Sequence, residues 1–156
     1  MNAAARAAYQ AALTAIERRR IVRGLGLRTW NFHQEVERRA MAAMREMAEI
    51  GWTAELTQLA AYASAGVLLV LHAAEAADQD ARDCYQAWDA LAGQNQHANA
   101  QVSAGLPANF ADSDATMAAF NAIGPAVVAA DQADDALAAL IKAHLQVRVV
   151  GYQRIH

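Results

Sequence analysis

The chain has few of the residues that staple or interrupt a small fold. Among its 156 residues there are one cysteine and two prolines. A single cysteine excludes an internal disulfide and any cysteine-rich metal site. Proline breaks helices and central strands, so its scarcity leaves room for long uninterrupted elements. The length fits one domain or one long bundle, and it is sufficient to bury a core.

Aromatic residues and export features are also scarce. Aromatic side chains make up only 6% of the chain, which predicts a thin core that gains burial from other subunits. No cationic segment followed by an apolar stretch and a cleavage site appears at the start. The sequence therefore gives no indication of classical secretion, and we expect the protein in the cytoplasm or in a particle assembled there.

Alanine is what the chain has in abundance, at 42 of its 156 residues. Alanine is the best helix former, so we expect an all-α fold. The expected architecture is a single domain over residues 1–156, an elongated helical bundle of about four main helices. These are predicted at about 2–23, 31–50, 53–92 and 113–148, with an uncharged loop at 93–111.

The third predicted helix is very long, and we expect the others to pack along it. Steps of three and four residues give an apolar stripe: Trp52, Leu56, Leu59, Ala63, Val67, Val70, Ala74, Ala77, Ala81, Cys84, Trp88 and Leu91. Near its middle the stripe is almost pure alanine, which predicts a close helix–helix seam. Aspartates and a glutamate flank that seam and are expected to form an acidic outer face: Glu75, Asp78, Asp80 and Asp83.

Glycine and proline suggest where the helices end. Gly24-Leu25-Gly26 is the expected break after the first helix, and Gly93 the expected stop of the third. Asp112-Ser113-Asp114 is expected to open the last helix, whose predicted stripe is Met117, Phe120, Ile123, Val127, Ala130, Leu137, Ile141 and Leu145. Gly124-Pro125 must kink or break this helix. The tail after Val147 either extends it or docks as a strand.

Charge is segregated along the chain. Residues 1–50 carry nine arginines against five glutamates, a balance of +4, whereas residues 51–156 carry four basic against eleven acidic groups, a balance of −7. Such halves can pair within the fold, between subunits or with a polyanion. The residues that we single out as a polyanion or inter-subunit contact are Arg18, Arg19, Arg20, Arg23 and Arg28.

A solvated or pairing face is favoured for these arginines over nucleic-acid binding. Cations in a last helical turn suit the helix dipole, and acidic helices elsewhere in the chain can neutralise them. No basic residues interleave with aromatic ones, and no helix-turn-helix spacing stands out. Nucleic acid remains an alternative partner, with the steep salt dependence that phosphate contacts impose.

No motif predicts a catalytic, metal or cofactor site. The five histidines form no ExxH, HxxxH or HExxH pair. For His72, with Glu75 three residues on, a hydrogen-bonded structural role is favoured over a metal or proton role. Cys84 has acidic neighbours, which is the wrong surround for a nucleophile, and is expected to be a packing residue rather than the anchor of a chromophore.

The stretch Leu56–Ala74 carries no charge over a length close to the roughly 20 residues that cross a bilayer. It also contains Ser64, Gly66 and His72, and glutamates stand at both ends. A buried bundle helix is therefore favoured, with conditional membrane insertion as the alternative.

Together these features predict a non-catalytic structural or interaction subunit of a homo-oligomeric helical assembly. Alanine-lined seams and Arg–Asp/Glu pairing would hold the copies together, and salt would loosen them. A component of a large particle such as a phage-like virion fits this description. The alternatives are a membrane-active helical protein and a small-ligand-binding helical bundle.

Overall fold

A computed structural model describes residues 1–29 and 54–155, with side chains described for 1–24 and 54–146. Four helices and no strand occur within these ranges: α1 (Ala3–Thr29), α2 with its described part at residues 54–62, α3 (Ala65–Ser103) and α4 (Ser113–Ile155). The all-α prediction is confirmed. The helix predicted at 31–50 lies outside the described residues.

Helix α1 begins at an asparagine cap and is longer than predicted. The Asn2 side-chain oxygen accepts the Ala5 N–H at 2.7 Å, which satisfies a donor that has no partner inside the helix. The predicted break at Gly24-Leu25-Gly26 is wrong, because the helix continues to Thr29. A helical glycine costs about 1 kcal/mol relative to alanine but keeps its N–H, so a glycine pair weakens a helix without ending it.

The single helix predicted at 53–92 is divided in two. Residues 54–62 are helical, Ala63 and Ser64 are not, and α3 starts at Ala65. The Ser64 carbonyl accepts the Leu68 N–H at 3.0 Å, so Ser64 takes the N-cap position that serine favours. The apolar stripe was predicted correctly because Leu56, Leu59 and Val67 are all buried, but a stripe can continue across a break.

Helix α3 does not stop at Gly93, and most of the predicted loop 93–111 is helical. The helix ends at Ser103, where Gly105 has a positive φ of 72°. The Leu106 N–H bonds the Gln101 carbonyl at 2.9 Å, and the Gly105 N–H bonds the Val102 carbonyl at 3.0 Å. This pair of bonds is the Schellman motif, so the glycine that ends α3 lies twelve positions later than predicted.

Helix α4 opens where the sequence predicted. The Asp112 carboxylate accepts the Ala115 N–H at 2.9 Å, which makes it an N-cap. The helix is not broken at Gly124-Pro125. Pro125 deprives the Asn121 carbonyl of its intrahelical donor, and both residues are exposed, so water can take that place. Of the two alternatives for the tail, helix extension is the one observed, as far as Ile155.

The described helices form two compact units. Unit 1 comprises Met1–Glu75 and Asp131–His156, and unit 2 comprises Ala76–Ala130. The core of unit 1 is assembled from all four helices, and its buried members are Tyr9, Ala12, Ile16, Leu56, Leu59, Val67, Leu71, Ala74, Leu137 and Ile141. The predicted stripes of the third and last helices both contribute to it.

Unit 2 is a hairpin of two helical segments, α3 from Ala76 onward and α4 as far as Ala130. Its buried apolar residues are Ala81, Tyr85, Ala98, Ile123, Val127 and Ala130. Half of these are alanines, as the predicted seam requires. The acidic outer face is wrong for Asp78, which is buried; its Oδ2 lies 3.3 Å from Nε of Arg82, one helical turn on.

The sequence also predicted one elongated domain. It stays a prediction: the described helices fall into two compact units, but α3 and α4 each contribute residues to both of them.

Candidate functional site

The arginine-rich end of α1 meets an aspartate-rich turn of α4 inside unit 1. Arg23 stands four positions after Arg19 and three after Arg20, so it shares a side of α1 with each of them. Their partners on α4 are Asp131, Asp134 and Asp135. Two helical faces of opposite charge are thereby brought together.

Asp134 is the centre of this cluster. It is fully buried, and its Oδ2 accepts Nε–H of Arg19 at 3.1 Å. Nη2 of Arg19 bonds the other carboxylate oxygen, and Nη2 of Arg23 bonds Oδ2 as well. One carboxylate thus receives two guanidinium groups, and Asp131 supplies the second negative charge, 2.8 Å from Nη2 of Arg23. Two arginines and two aspartates leave the cluster formally neutral.

Two further ion pairs of the α1 arginines lie at the surface. Arg18 approaches Glu55 at 3.6 Å, and Arg20 approaches Asp135 at 2.5 Å. The Arg18 and Arg20 side chains remain 57% and 43% exposed. Exposed pairs of this kind contribute about 0–1 kcal/mol, so the buried cluster and not its rim fixes how α1 sits against α4.

These contacts decide which of the singled-out arginines can reach a partner. The Arg19 and Arg23 side chains are 2% and 5% exposed and are paired within the chain, so a polyanion or a second subunit cannot contact them in this fold. Arg18 and Arg20 could still do so at the surface. The Arg28 side chain lies outside the described residues.

The aspartates of this cluster were not predicted from the sequence. A recognisable pattern was present, because the aspartates at 131, 134 and 135 repeat in reverse order the spacing of the arginines at 19, 20 and 23. Antiparallel helices bring such mirrored patterns into register. Without knowledge that α1 and α4 are neighbours, however, the pattern has no meaning.

The histidines and the cysteine considered for a metal, proton or cofactor role do not form one site among the described residues. His72 is exposed on α3, so the favoured structural role is not supported there. Nδ1 of His144 lies 3.0 Å from the Leu140 carbonyl, and its ring stacks on Tyr9 with 6.0 Å between centroids. Cys84 is a half-buried free thiol. Within residues 1–29 and 54–155, no three His, Cys, Asp or Glu side chains are grouped so that they could hold a metal.

The stretch Leu56–Ala74 is shared between α2 and α3 and contributes to the core of unit 1. Among the described helices, none combines the length and the apolar character that crossing a bilayer requires.

Unit 2 contains an open groove of about 470 Å³ at the hairpin end, which we call the hairpin groove. It is lined by residues of α3, of the connecting segment and of the first turns of α4: Trp88, Asn95, Asn99, Phe110, Ala111, Ser113, Thr116, Met117 and Phe120. Two hydrogen bonds between side chains of α3 and the backbone of the connecting segment join the two elements here. The Ala111 N–H bonds the Asn95 side-chain oxygen at 2.9 Å, and the Gln94 amide donates to the Asn109 carbonyl at 3.3 Å.

Three large apolar side chains of the groove are substantially exposed: Phe110 at 48%, Met117 at 59% and Phe120 at 39%. The prediction that Met117 and Phe120 belong to the buried stripe of the last helix is wrong. Helical spacing places them near the buried side of α4, but burial also needs a neighbouring element that covers the side chain completely, and both side chains remain partly exposed.

No protein-family model matches the chain, and no curated protein or solved structure is significantly similar to it. Its functional assignment therefore depends on the arrangement of the described residues.

Proposed function

We propose that the chain is a non-catalytic structural subunit that associates with copies of itself into a helical assembly. The observation that carries this proposal is the amount of apolar surface that unit 2 leaves in contact with water. Its exposed large apolar residues are Val102, Leu106, Phe110, Met117, Phe120 and Val128. Scattered exposed apolar residues are ordinary, but a concentration of them indicates an interaction surface.

The same region carries almost no charge. Between Asp89 and Asp131 the only charged side chains are Asp112 and Asp114, and Asp112 already caps α4. Net charge keeps soluble proteins apart through mutual repulsion. A surface that combines exposed phenylalanine and methionine with so few charges lacks that protection, and contact with another protein surface would remove it from water.

The Arg–Asp pairs favour an apolar over an ionic mode of assembly. Arg19 and Arg23 already use their charges within the chain, so the pairing that the sequence suggested between subunits has an intramolecular alternative. Apolar association is not weakened by screening, whereas association through exposed ion pairs is. We therefore expect the assembly to persist at high salt.

Absolute mass in solution tests the proposal. Light scattering and sedimentation of the full chain, over a wide concentration range and at low and high salt, should show a discrete oligomer whose mass does not fall with salt. A monomer at every concentration would overturn the proposal. An oligomer that salt dissociates would keep self-association but assign it to charge pairs.

At the finer level we propose that this subunit belongs to a large particle assembled in the cell, such as a phage-like virion. A subunit with little chemistry and an exposed apolar surface suits such a role. Electron microscopy of the purified oligomer would test it: closed or repeating assemblies are expected, and only small discrete oligomers would count against it.

A small-ligand-binding bundle is the second candidate. The hairpin groove supports it with an aromatic lining, two asparagine amides and two hydroxyls, a mixture common in ligand sites. Tryptophan fluorescence should then respond to small aromatic compounds, because Trp88 lines the groove. An unchanged spectrum across a diverse compound set would remove this candidate.

A further inference from the structure

The hairpin groove can be assigned a class of ligand. Building on the small-ligand candidate of the proposed function, we infer that the groove binds a weakly hydrated organic cation, such as a quaternary ammonium group attached to a ring. Three properties of unit 2 select this class: aromatic walls, a lining without charge, and surrounding charges that are negative.

Aromatic and thioether side chains form the apolar part of the lining. They are contributed by α3, the connecting segment and α4, and they are Trp88, Phe110, Met117 and Phe120. The face of an aromatic ring attracts a cation that lies within about 6 Å of its centroid, and tryptophan does so most strongly. The polarisable sulfur of methionine adds favourable contacts with an aromatic ligand. The walls therefore suit a cation that carries a ring.

Helical spacing explains why these side chains converge. Trp88 and Asn95 stand seven positions apart, and Thr116 and Phe120 four apart, so each pair lies on one side of its helix. The Asn95 side chain accepts the Ala111 N–H at 2.9 Å and thereby ties the connecting segment to α3. The volume of about 470 Å³ lies within the range of small-molecule sites, roughly 300–1,000 Å³. The groove is thus formed before any ligand arrives.

Unit 2 is strongly acidic. Residues 76–130 carry six aspartates against one arginine, a balance of −5 with histidine neutral. No lysine or arginine occurs in the chain between Arg82 and Lys142. Arg82 stands six residues before Trp88, a separation of about 9 Å along α3. The field of such a unit attracts cations and repels anions.

Three of the aspartates adjoin lining residues. Asp89 follows Trp88 in α3. Asp112 and Asp114 flank Ser113 at the start of α4. Adjacent Cα atoms are about 3.8 Å apart, and the Debye length at physiological ionic strength is about 8 Å. These charges therefore act on the groove with incomplete screening.

The lining itself favours a weakly hydrated cation. None of the described residues that line the groove is charged. A primary ammonium group is strongly hydrated and would lose water here without a carboxylate in the lining to replace it. A quaternary ammonium group has no N–H to satisfy, and aromatic faces supply the attraction that it needs.

The openness of the groove also favours a charged ligand. Phe110 and Met117 are 48% and 59% exposed, so a ligand between them keeps part of its surface in water. An uncharged apolar ligand gains affinity mainly through complete burial, as in closed sites that cover about 70–90% of the ligand. A cation in an open groove keeps part of its hydration and still contacts the rings.

Three small aromatic ligands of different charge test the inference. Phenyltrimethylammonium is a cation, N,N-dimethylaniline is its neutral counterpart with one methyl group fewer, and benzenesulfonate is an anion. Isothermal titration of the full chain should show the cation binding about tenfold more tightly than the neutral compound, and the anion most weakly. Added salt should narrow the difference between cation and neutral compound, because the aspartate field is screened.

Nuclear magnetic resonance of the methionine methyl groups locates the ligand. The Met117 resonance is identified by its loss in the Met117→Leu variant. Because Met117 lines the groove, the ring current of bound phenyltrimethylammonium should shift this resonance in proportion to the occupancy measured by titration.

Removal of one aromatic wall should weaken cation binding. Phe110→Ala is expected to lower the affinity for phenyltrimethylammonium about threefold or more. The matched control is Leu106→Ala in the same connecting segment, since Leu106 is 58% exposed and does not line the groove; its affinity should equal that of the parent. Both positions lie outside the helices, so helix content by circular dichroism should not change.

Removal of one nearby charge separates the field from the ring contacts. Asp114→Asn should lower the affinity for the cation about twofold and leave that for N,N-dimethylaniline unchanged. Asp80→Asn is the matched control, because Asp80 is also exposed in unit 2 but lies eight residues before Trp88, about 12 Å along α3. It should change neither affinity.

The outcomes separate this inference from the proposed function. If none of the three ligands binds, the small-ligand candidate and this inference both fail. If they bind equally, or the neutral or anionic compound binds best, the candidate stands and this inference is overturned. Cation binding that leaves the Met117 resonance and the Phe110→Ala affinity unchanged places the site elsewhere and also overturns it. Mass by light scattering decides self-association separately.

Discussion

Asp134 accepts hydrogen bonds from two arginines of another helix while fully buried in unit 1. Burial of charge is costly, and a buried ion pair is poor evidence for net stability. Removal of one partner is a different matter, because the remaining charges keep their desolvation cost and lose their compensation. The Arg19–Asp134–Arg23 contact therefore fixes the relation of α1 to α4 more than it adds stability.

Replacement of Asp134 by asparagine should destabilise the protein strongly. It leaves Arg19 and Arg23 with one buried carboxylate fewer, and the expected loss is about 3–5 kcal/mol of unfolding free energy. The measurement is urea denaturation followed by circular dichroism. The matched control is Asp135→Asn, one position on, where the carboxylate is 57% exposed beside Arg20; there the loss should be at most about 1 kcal/mol.

Equal losses of unfolding free energy for the two variants would show that the buried cluster contributes no more to stability than the exposed pair does.

The sequence alone could not have shown which of these positions matters more for stability. Arg19 and Arg20 are adjacent and identical in type, as are Asp134 and Asp135, yet one member of each pair is buried and the other exposed. Adjacent residues point in different directions from a helix axis, and only one of these directions meets the other helix, which is distant in the chain.

At the scale of the element, the two glycines at either end of the predicted loop have opposite roles. Gly93 lies inside α3, in helical conformation, with nothing within 4 Å of a built Cβ. Gly105 has φ +72° at the Schellman motif that ends the helix. Left-handed backbone costs a residue with a Cβ about 1–2 kcal/mol, which is why a glycine stands there.

Alanine at these two positions should therefore shift stability in opposite directions. Gly93→Ala should stabilise the protein by up to about 1 kcal/mol, because alanine is the better helix former and space is free. Gly105→Ala should destabilise it by about 1–2 kcal/mol because φ is positive. The measurement is the melting temperature of both variants and of the parent protein. A Gly105→Ala variant more stable than the parent would mean that α3 does not end at this motif.

The helix boundaries show what local patterns can predict. The start of the last helix at Asp112-Ser113-Asp114 was predicted correctly, because aspartate and serine before a helix-forming run favour a helix N-terminus. Gly93 was mistaken for a stop, because glycine is compatible with both a helix end and a helix interior. The division at Ser64 was missed, since the apolar stripe continues on both sides of it and periodicity records the buried face, not continuity.

At the scale of the whole molecule, the two units differ in how they bury apolar surface. Unit 1 packs four helices around leucine, isoleucine and valine. Unit 2 buries three alanines and three larger apolar residues between two helical segments, and leaves Phe110, Met117 and Phe120 substantially exposed. Local stability follows the amount of buried apolar contact, so the units should open with different free energies.

Hydrogen exchange should reveal this difference. Amide protons of residues 67–74 in α3, which pack in the core of unit 1, are expected to exchange more slowly than those of residues 95–102 of the same helix. The experiment is exchange at low protein concentration, read by mass spectrometry of peptides. Equal exchange rates for residues 67–74 and 95–102 would contradict the expected difference between the two units. At high concentration, protection of residues 113–128 should rise if the hairpin groove is covered by a second copy.

The sequence by itself determined the fold class and most of the buried positions. Alanine content and the near absence of proline favour helices, and the periodic apolar residues of α2, α3 and α4 identify the faces that form the cores, because both properties are local and additive along the chain. The same locality allowed the start of α4 to be predicted.

Only the tertiary structure decided which charges are paired and which apolar residues remain exposed. Arg23 and Asp131 are 108 positions apart in the chain, and Met117 continues a buried stripe yet faces water. Burial and charge neutralisation depend on the element that lies opposite, and that element is chosen by the packing of the whole molecule. For this reason the arginine cluster was recognised without its partners, and the residues of the hairpin groove were predicted to belong partly to a loop and partly to a core.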